Sequence, residues 1–348
     1  METLHLTLRD TETAGRLLRE GKLVVFPTET VYGLGANALD ADAVRRIYEA
    51  KGRPSDNPLI AHVADTALLP MLWREIPDTA RRLTEAFWPG PLTLILPRTD
   101  AVPDAVTAGL DTVAVRFPSH PAAQAVIRAA GVPIAAPSAT DAPTGSPTAF
   151  AHAVHDLEGR VDAILDGGSC GVGLESTVAA VEADCVRVLR PGGISPEMLR
   201  AALPGVRVVI DPGVLKPVEG APRSPGMKYR HYAPLAPMTA YTGSPEATAA
   251  RIRADLAGVR DAAVLCYDEF RGYFADAGGG PVAEVSYGSY RDPGSLARGL
   301  FGALRALDDT GAKVLFAQCP GDTGVELAVS NRLRRAAGFH IVAVEDKP

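Results

Sequence analysis

The chain has 348 residues, 47% of them hydrophobic and 22% charged, which is the balance of a globular protein with room for two domains. Its net charge of −6 argues against a generally basic nucleic-acid-binding protein. No apolar run reaches the roughly 18 residues of a membrane-spanning helix, residues 1–10 lack the pattern of a signal peptide, and the four cysteines form no CxxC pair. These features predict a cytoplasmic protein without membrane association, zinc framework or disulfides.

Short strand-like and helix-like segments are mixed between residue 23 and about residue 211. Runs of aliphatic and β-branched residues predict strands at 23–26, 58–63, 92–96, 113–117, 133–136, 163–165, 178–181 and 186–189. Helical patterns fit 41–51, 121–130 and 148–157, the first with Asp40 as its N-cap. The mixture predicts an α/β domain with a twisted mixed sheet, without a strict alternation of strand and helix.

The pattern becomes regular after residue 238. Predicted strands at 238–242, 262–267, 282–286, 313–318 and 340–344 alternate with predicted helices at 245–257, 293–309 and 324–337. This order predicts a smaller, Rossmann-like α/β domain. Because its strands carry no glycine fingerprint, the fold by itself implies no cofactor.

Residues 211–237 separate the two patterns and contain six prolines, which favours an extended linker. We therefore divide the chain into a first domain at 1–210, this linker, and a C-terminal domain at 238–348. Within the linker, residues 224–234 combine two tyrosines, two basic side chains and a histidine. That composition favours contact with a ligand over a plain spacer, and we expect the segment to lie over a ligand-binding cleft as a gate.

The first polar motif, FPTETVYGLGA at 26–36, sets hydroxyls and a carboxylate after a strand, followed by two glycines that allow close backbone approach. The spacing Gly33-x-Gly35-x-x-Ala38 matches a dinucleotide fingerprint only superficially. The glycines come late after the strand and no acidic residue follows at the right distance, which argues against NAD or FAD. No GxxxxGK[ST] sequence occurs, which excludes a P-loop nucleoside triphosphatase.

The second motif, KGRPSDNP at 51–58, brings two cations together on a turn stiffened by proline. Lys51 and Arg53 lie two residues apart, an arrangement typical of a polyanion clamp. Asn57 adds a neutral donor and acceptor, and His62 follows on a predicted strand. A solvated loop with a satisfied histidine is the alternative, and this pattern alone leaves both open.

Three further segments carry polar groups of the same kind. Arg116 interrupts an apolar strand, so it must be paired or must face a ligand. Small residues at 136–140 and 145–148 lead into a helix N-terminus, where anions are often bound. Segments 175–178 and 190–193 bracket a predicted hairpin and add hydroxyls and another cation. The cations that these motifs offer to one acidic ligand are Lys51, Arg53, Arg116 and Arg190.

Taken together, the motifs resemble those of the Sua5/YrdC family of L-threonylcarbamoyladenylate synthases, over nearly the whole chain. The matching segments are FPTETVYGLGANA at 26–38, KGRPSDNPL at 51–59, VAVRFP at 113–118, PSAT at 137–140, ESTV at 175–178 and LRPGGI at 189–194. The segment at 224–234 and the sequence NRLRRAA at 331–337 resemble the longer Sua5 form, which has an additional C-terminal domain.

The resemblance implies a nucleotidyltransferase that uses L-threonine, bicarbonate and ATP. Its products would be threonylcarbamoyl-AMP and pyrophosphate, the former serving N6-threonylcarbamoyladenosine formation at position 37 of tRNA. Such a reaction needs alignment and charge stabilisation more than a protein nucleophile. The resemblance further implies Mg²⁺ carried by ATP, a product passed to a tRNA threonylcarbamoyl-transfer machinery, and at most weak contact with tRNA itself.

The resemblance also assigns roles to individual residues. Those implied to bind threonine are Thr30, His62, Arg116, Ser138 and Ser176, the last in preference to Thr177. Those implied to bind ATP are Lys51, Arg53, Asn57, Thr112, Thr140, Thr148, Arg190, His231 and Tyr232. The catalytic set is Lys51, Arg53 and Arg116. Position 140 departs from the family, which usually has Asn there, and a Thr hydroxyl keeps fewer of the amide's hydrogen bonds.

Two other classes of protein compete with this interpretation. A non-catalytic RNA-binding or regulatory protein is disfavoured by the acidic net charge and by the lack of a basic, aromatic-rich stripe. A carbamoyltransferase of the hydrogenase-maturation type would carry acylphosphatase and zinc-finger segments, and neither occurs. His152 and His155 have no third ligand nearby, which favours a solvated helix face over a metal site.

Overall fold

The computed structural model describes residues 2–52, 57–140, 145–217 and 232–345, and it contains two sheets. The strands are β1 Leu4–Leu6, β2 Val24–Phe26, β3 Gly33–Asn37, β4 Ile60–His62, β5 Leu92–Pro97, β6 Thr112–Arg116, β7 Ile134–Ala135, β8 Ala163–Leu165, β9 Thr177–Val181, β10 Cys185–Arg190, β11 Arg207–Ile210, β12 Met238–Thr242, β13 Ala262–Cys266, β14 Ala283–Ser286, β15 Val314–Cys319 and β16 Ile341–Ala343.

The α-helices are α1 Thr11–Arg19, α2 Ala41–Lys51, α3 Leu69–Leu72, α4 Asp78–Phe87, α5 Asp104–Thr107, α6 Pro121–Ala130, α7 Phe150–Leu157, α8 Pro196–Ala202, α9 Pro245–Asp255, α10 Pro293–Asp309 and α11 Glu326–Ala336. Short 3-10 helices lie at Thr66–Leu68, Pro212–Val214 and Asp268–Phe270. Among the described residues, no helix combines the length and apolarity needed to cross a bilayer.

The first sheet is mixed, as the sequence predicted. Its strand order is β1-β8-β2-β3-β7-β4-β6-β5-β9-β10-β11. In the middle of the sheet β6 pairs parallel with β4 and antiparallel with β5, and β5 pairs parallel with β9. These four strands bring segments from residues 60 to 181 side by side, and they form the floor of the cleft described below.

Local signals explain why the predicted helices begin and end where they do. The Asp40 carboxylate accepts hydrogen bonds from the first-turn amides of α2, and Gly52 ends that helix in the left-handed conformation, with φ of 58°. Pro121 begins α6, and Gly131 ends it with φ of 69°. The predicted bounds 41–51 and 121–130 are therefore confirmed.

The glycine motif near residue 35 forms a strand that the sequence did not indicate, because glycine is depleted in strands. A β-carbon at Gly35 would lie 2.7 Å from the ring of Phe26 and 3.0 Å from Ile134. β3 packs closely against these neighbours because it has no side chain there. Gly35 therefore serves the close packing of the sheet.

The second sheet is parallel, in the order β14-β13-β15-β12-β16, and α9, α10 and α11 connect its strands. The predicted Rossmann-like domain and its strand order along the chain are confirmed. The proposed bounds of the linker and of the two domains stay a prediction, and residues 218–231 of the linker lie outside the described part of the chain.

The two domains share a hydrophobic cluster. Val31 and Leu174 of the first domain are buried in the same cluster as Phe301 of α10. Gly173 lies so close to α10 that a β-carbon there would be 2.5 Å from the Cα of Arg298, and one at Gly145 would be 3.0 Å from the carbonyl oxygen of Phe301. The second domain is therefore packed directly against the segments that border the cleft.

Candidate active site

The floor of the cleft is a row of polar side chains on three neighbouring strands. In the register of the sheet, His62 of β4 and Thr93 of β5 both lie beside Arg116 of β6. Directly paired residues project from the same face of a sheet. All three are buried, so the row places an imidazole, a guanidinium and a hydroxyl together in an apolar sheet.

Arg116 is held by two residues of the first polar motif. Its Nη2 lies 2.7 Å from Oε1 of Glu29, and its Nη1 donates to Oγ1 of Thr30 over 2.8 Å. Thr30 also shares a 2.8 Å hydrogen bond with Thr28. Burial by itself would raise the pKa of Glu29, but the Arg116 guanidinium holds that pKa below its usual value. The arginine inside the apolar strand is therefore paired and also faces the cleft.

His62 is neutral at physiological pH. Burial, reinforced by the neighbouring charge of Arg116, lowers the pKa of His62 to about 3. Its Nδ1 lies 3.1 Å from the carbonyl oxygen of Ile60, so the neutral ring donates its proton there. The other ring nitrogen of that tautomer is an acceptor.

One wall of the cleft is the segment 136–140, which is anchored from two sides. The Leu34 amide donates to Pro137, and the Ala139 amide donates to Tyr32. Behind the segment, the buried ammonium of Lys51 donates to the carbonyl oxygens of Ser138, over 2.5 Å, and Thr140. Lys51 therefore fixes the backbone whose side chains, those of Ser138 and Thr140, line the cleft.

Thr140 is also connected to the second domain. Its hydroxyl hydrogen-bonds Asp156 of α7. The Asp156 carboxylate in turn accepts hydrogen bonds of 2.9 and 2.6 Å from Nη1 and Nη2 of Arg305 of α10. Burial alone would raise the pKa of Asp156, but these hydrogen bonds hold it below the usual value. The hydroxyl at position 140 thus has a partner within the protein.

The opposite wall lies where β9 begins and β10 ends. Arg190 donates from Nε to the backbone oxygen of Ser176 over 3.0 Å and from Nη2 to its Oγ over 3.1 Å. That Oγ is also 2.8 Å from Oγ1 of Thr93, which links this wall to the floor. Glu175 accepts from Oγ of Ser146 over 2.5 Å. Burial lowers the pKa of Arg190 to about 10, well above neutrality, so its charge is retained.

Tyr232 covers the cleft where the described chain resumes after the linker. It is buried, it has a φ of 65°, and its ring stacks on Phe301 with centroids 5.1 Å apart. A non-glycine residue in the left-handed region costs on the order of 1 kcal/mol, so packing holds it there. Burial, with the nearby Glu175 carboxylate, raises the pKa of Tyr232 to about 12.

The structure brings most of the residues singled out in the sequence to this one cleft. Those that line it are Thr30, Asn57, His62, Arg116, Ser138, Thr140, Ser176, Arg190 and Tyr232. Among the described residues, the buried Oδ1 of Asn57 has no hydrogen-bond partner. Ser176 faces the cleft, whereas the Thr177 hydroxyl is bonded to the backbone of Ile194.

Three of the predicted residues that the structure describes do not line the cleft. Lys51 acts on its wall from behind. Thr112 begins β6, four residues and about 13 Å from Arg116 at the other end of that strand. Thr148 is buried in front of α7, where its backbone bonds Cys170 and His152. Arg53 and His231 lie outside the described residues.

Four functional candidates were not identified from the sequence. Thr28, Ser146 and Glu175 line the cleft, and Glu29 holds Arg116. The available signal for the two carboxylates was an acidic residue next to hydroxyls, in Thr-Glu-Thr at 28–30 and in Glu-Ser-Thr at 175–177. Sequence reasoning concentrated on cations and did not ask which carboxylates would balance them.

The cleft is lined mostly by polar and charged side chains. Within the described residues it presents arginines, hydroxyls and backbone groups, and its carboxylates face arginines. The only group of three possible metal ligands among those residues, Glu182, Asp184 and Cys185, lies at the β9–β10 turn. The fold and the cleft thus define a two-domain α/β protein with a site for a polar, anionic ligand.

Comparisons with known proteins identify the family. Residues 16–192 match the family described as "Telomere recombination" (Sua5_yciO_yrdC), and residues 194–338 match the C-terminal domain of threonylcarbamoyl-AMP synthase. The threonylcarbamoyl-AMP synthase of Bacillus subtilis is 49% identical over 331 residues, 94% of this chain and 93% of that protein. That of Schizosaccharomyces pombe is 37% identical over 94% of this chain and 88% of its own length.

Comparison with a solved structure identifies the same family. Sua5 of Pyrococcus abyssi complexed with L-threonine superimposes with a TM-score of 0.89 at 42% identity, covering 99% of this chain and 100% of that one. The chain belongs to the Sua5/YrdC family of threonylcarbamoyl-AMP synthases, in the long form with a Sua5 C-terminal domain. The resemblance seen in the sequence is therefore confirmed.

Proposed function

We propose that this chain joins L-threonine, bicarbonate and ATP into threonylcarbamoyl-AMP and pyrophosphate, as a nucleotidyltransferase. The observation that carries the proposal is the pair of buried arginines, Arg116 and Arg190, that face one cleft lined with hydroxyls. The P. abyssi relative was crystallised with L-threonine, which supports threonine as one substrate.

We assign the two arginines to the two larger substrates, Arg116 to threonine and Arg190 to ATP. Arg116, oriented by Glu29 and bonded to Thr30, faces the cleft and would bind the carboxylate of threonine, with Ser138 lining the same cleft. The amine of threonine attacks CO2 derived from bicarbonate and loses a proton, which gives a carbamate. A carbamate oxygen then attacks the α-phosphorus of ATP, and the bond to the β-phosphate oxygen breaks to release pyrophosphate.

Arg190 suits the nucleotide end. It keeps its charge in the buried wall and is rigidly held by Ser176, so it is preorganised to stabilise negative charge on the phosphates. Asn57, Thr140 and Tyr232 line the same region and are assigned to the nucleotide by family resemblance. Arg53, His231, Thr112 and Thr148 keep that assignment as a proposal, as does Lys51, whose action on the Ser138–Thr140 backbone is an additional role.

We further propose that Mg²⁺ enters with ATP. Glu175, which lines the cleft, and Glu29, which holds Arg116, both pair with arginines, an arrangement that suits an ion carried by the triphosphate better than one held by the protein. When bound, the ion would neutralise phosphate charge. Removal of Mg²⁺ with a chelator should abolish pyrophosphate release and leave threonine binding intact.

The product places the protein before a transfer reaction. Threonylcarbamoyl-AMP is a mixed anhydride, so it must be consumed by an acyl-transfer step, which we assign to modification of adenosine 37 of tRNA. We place this activity in the cytoplasm, where four reduced, buried cysteines such as those of this chain are stable.

The decisive experiment is a pyrophosphate-release assay with each substrate omitted in turn. The proposal requires release that depends on threonine, bicarbonate and ATP together, and a product with the mass of threonylcarbamoyl-AMP. Release without threonine, or salt-sensitive RNA binding in the absence of any turnover, would contradict it, and the latter outcome would favour an RNA-binding protein.

A further inference from the structure

Helix α11 of the second domain presents three buried polar residues to the first domain and the segment that follows it. Asn331 donates from Nδ2 to Val214 O, Arg335 donates to Gly213 O over 3.0 Å, and Arg332 reaches furthest towards the cleft. The Arg332 side chain is fully buried, although it belongs to a different domain from the cleft residues.

Arg332 spans both ends of the β9–β10 hairpin. Its Nε and Nη2 lie 3.1 Å from Oε2 of Glu175, just before β9, and its Nη1 donates to the carbonyl oxygen of Pro191, just after β10. These two segments already touch, since a β-carbon at Gly192 would lie 2.5 Å from the oxygen of Glu175. The guanidinium therefore fixes the geometry of the wall that carries Ser176 and Arg190.

We propose that Arg332 is a positioning residue for the nucleotide half of the cleft, so that the C-terminal domain is part of the active site. This inference rests on the proposed function. Arg332 acts through Glu175, which lines the cleft and bonds Ser146 on one side while facing Arg190 on the other. It does not line the cleft and is not assigned a contact with substrate.

The charges around Glu175 explain why loss of Arg332 would weaken binding of the phosphates of ATP. Burial by itself would raise the pKa of Glu175, but Arg332 first and Arg190 second hold that pKa below its usual value. Without Arg332, the carboxylate would keep Arg190 as its main cationic neighbour. The attraction would draw Arg190 from Ser176 and leave less positive charge for the phosphates.

The part of the threonine site around Arg116 should be spared, whereas Ser176, which the resemblance also assigns to threonine, shares its wall with Arg190. Arg116 is oriented by Glu29 and Thr30, both in the first domain, and none of these three is bonded to Arg332. The domains also remain docked without this arginine, because Asp156 pairs with Arg305 and an apolar cluster spans the interface. Selective loss of nucleotide affinity therefore distinguishes positioning from general support of the fold.

The test compares Arg332→Gln with Arg334→Gln in the full-length protein. Arg334 lies one half-turn further along α11 and pairs with Asp322 of its own domain, 3.0 Å away, so its substitution controls for removing an arginine from this helix. For each variant, calorimetry gives the Kd of L-threonine and of a non-hydrolysable ATP analogue, and the pyrophosphate assay gives KM for ATP and kcat.

We expect Arg332→Gln to weaken binding of the analogue and raise KM for ATP by at least about tenfold, the usual scale for leaving a buried charge unpaired. The Kd of threonine should change less than the Kd of the analogue, because Arg116 keeps its bonds to Glu29 and Thr30 and only Ser176 lies on the altered wall. Adding Glu175→Gln to Arg332→Gln should lower KM for ATP again, because the unpaired carboxylate is gone. If Arg332→Gln does not fold, Arg332→Lys, which keeps the charge with fewer hydrogen bonds, takes its place with a smaller expected shift in the same direction.

Equal losses of threonine and nucleotide affinity, or affinities like those of Arg334→Gln, would overturn the inference. A wild-type protein with no threonine-dependent turnover would instead refute the proposed function. The binding measurements would still decide the role of Arg332 in that case, because they require no catalysis.

Discussion

Glu29 and Arg116 form a buried ion pair at the floor of the cleft, with 2.7 Å between Oε1 and Nη2. The pair sets the orientation of the guanidinium, whose Nη1 then meets Thr30. A carboxylate next to an arginine that must bind another carboxylate looks counterproductive. It nevertheless leaves the guanidinium compensated before substrate arrives, and a preorganised fork loses little on binding.

Replacement of Glu29 tests this relationship. Glu29→Gln should lower threonine affinity by about tenfold and destabilise the fold by about 3 kcal/mol, because Arg116 is left buried without its counter-charge. Calorimetry with threonine and urea unfolding measure the two effects. Glu158→Gln, which removes an exposed carboxylate paired with His5, is the control and should change neither quantity. Unaltered threonine affinity in Glu29→Gln would show that the pair does not orient Arg116.

His62 should make stability depend on pH. Because its pKa is about 3 in the folded protein and 6.5 ordinarily, the unfolded chain binds more protons below pH 6.5. The contribution of His62 to the free energy of unfolding should therefore be fully present above pH 6.5 and decrease as the pH falls. At pH 5 we expect the decrease to be about 2 kcal/mol. Urea unfolding at pH 7.5 and 5.0 measures the decline. His62→Gln should show a smaller difference between the two pH values, and an equal difference would mean that other groups cause it.

Lys51 should matter for the shape of the cleft. Lys51→Met keeps much of the buried stem but removes the donor to the Ser138 and Thr140 carbonyls. We expect a loss of about 1–3 kcal/mol in the free energy of unfolding, the cost of unsatisfied buried carbonyls, together with weaker threonine binding through displacement of Ser138. A variant that loses only nucleotide affinity at full stability would instead indicate that Lys51 acts solely on phosphate. Lys22→Met provides a control outside the cleft.

The contribution of Thr140 to ATP binding should depend on its hydroxyl rather than on the shape of its side chain. Thr140→Val removes the hydrogen bond to Asp156 and should raise KM for ATP by about two- to tenfold, the value of one such bond. Thr140→Ser keeps the hydroxyl and should stay near the wild-type KM. Steady-state pyrophosphate release at varied ATP separates the two, and similar KM values for Val and Ser would contradict the role given to the hydroxyl.

The sequence was most informative where a local rule decides the outcome. Helices α2, α6 and α10 begin and end as predicted because caps, prolines and glycines define their ends. The regular second domain was predicted strand by strand. The strand β3 was missed because its glycines are required by Phe26 and Ile134, which are neighbours only in the folded sheet.

The same distinction applies to the cleft. Arg116 could be identified because an arginine in an apolar strand demands a partner, whereas its partner Glu29 lies 87 positions earlier in the chain. Arg332 is 157 positions from Glu175 and in another domain. Local patterns specify which side chains are unusual, but only the packing of two domains determines which of them meet.

Two glycines at the domain boundary, Gly145 and Gly173, are positions at which the contact between the domains can be altered. At Gly173 a single methyl group would overlap the backbone of α10, and at Gly145 it would lie 3.0 Å from the carbonyl oxygen of Phe301, although neither glycine is among the residues that line the cleft. Alanine at Gly173 would also strain its own backbone, because φ there is 78°, so the cleaner wedge against the helix that carries Arg305 is alanine at Gly145, which keeps every cleft side chain. It offers a way to change the angle between the domains by one small step and to observe how far the nucleotide half of the cleft tolerates it.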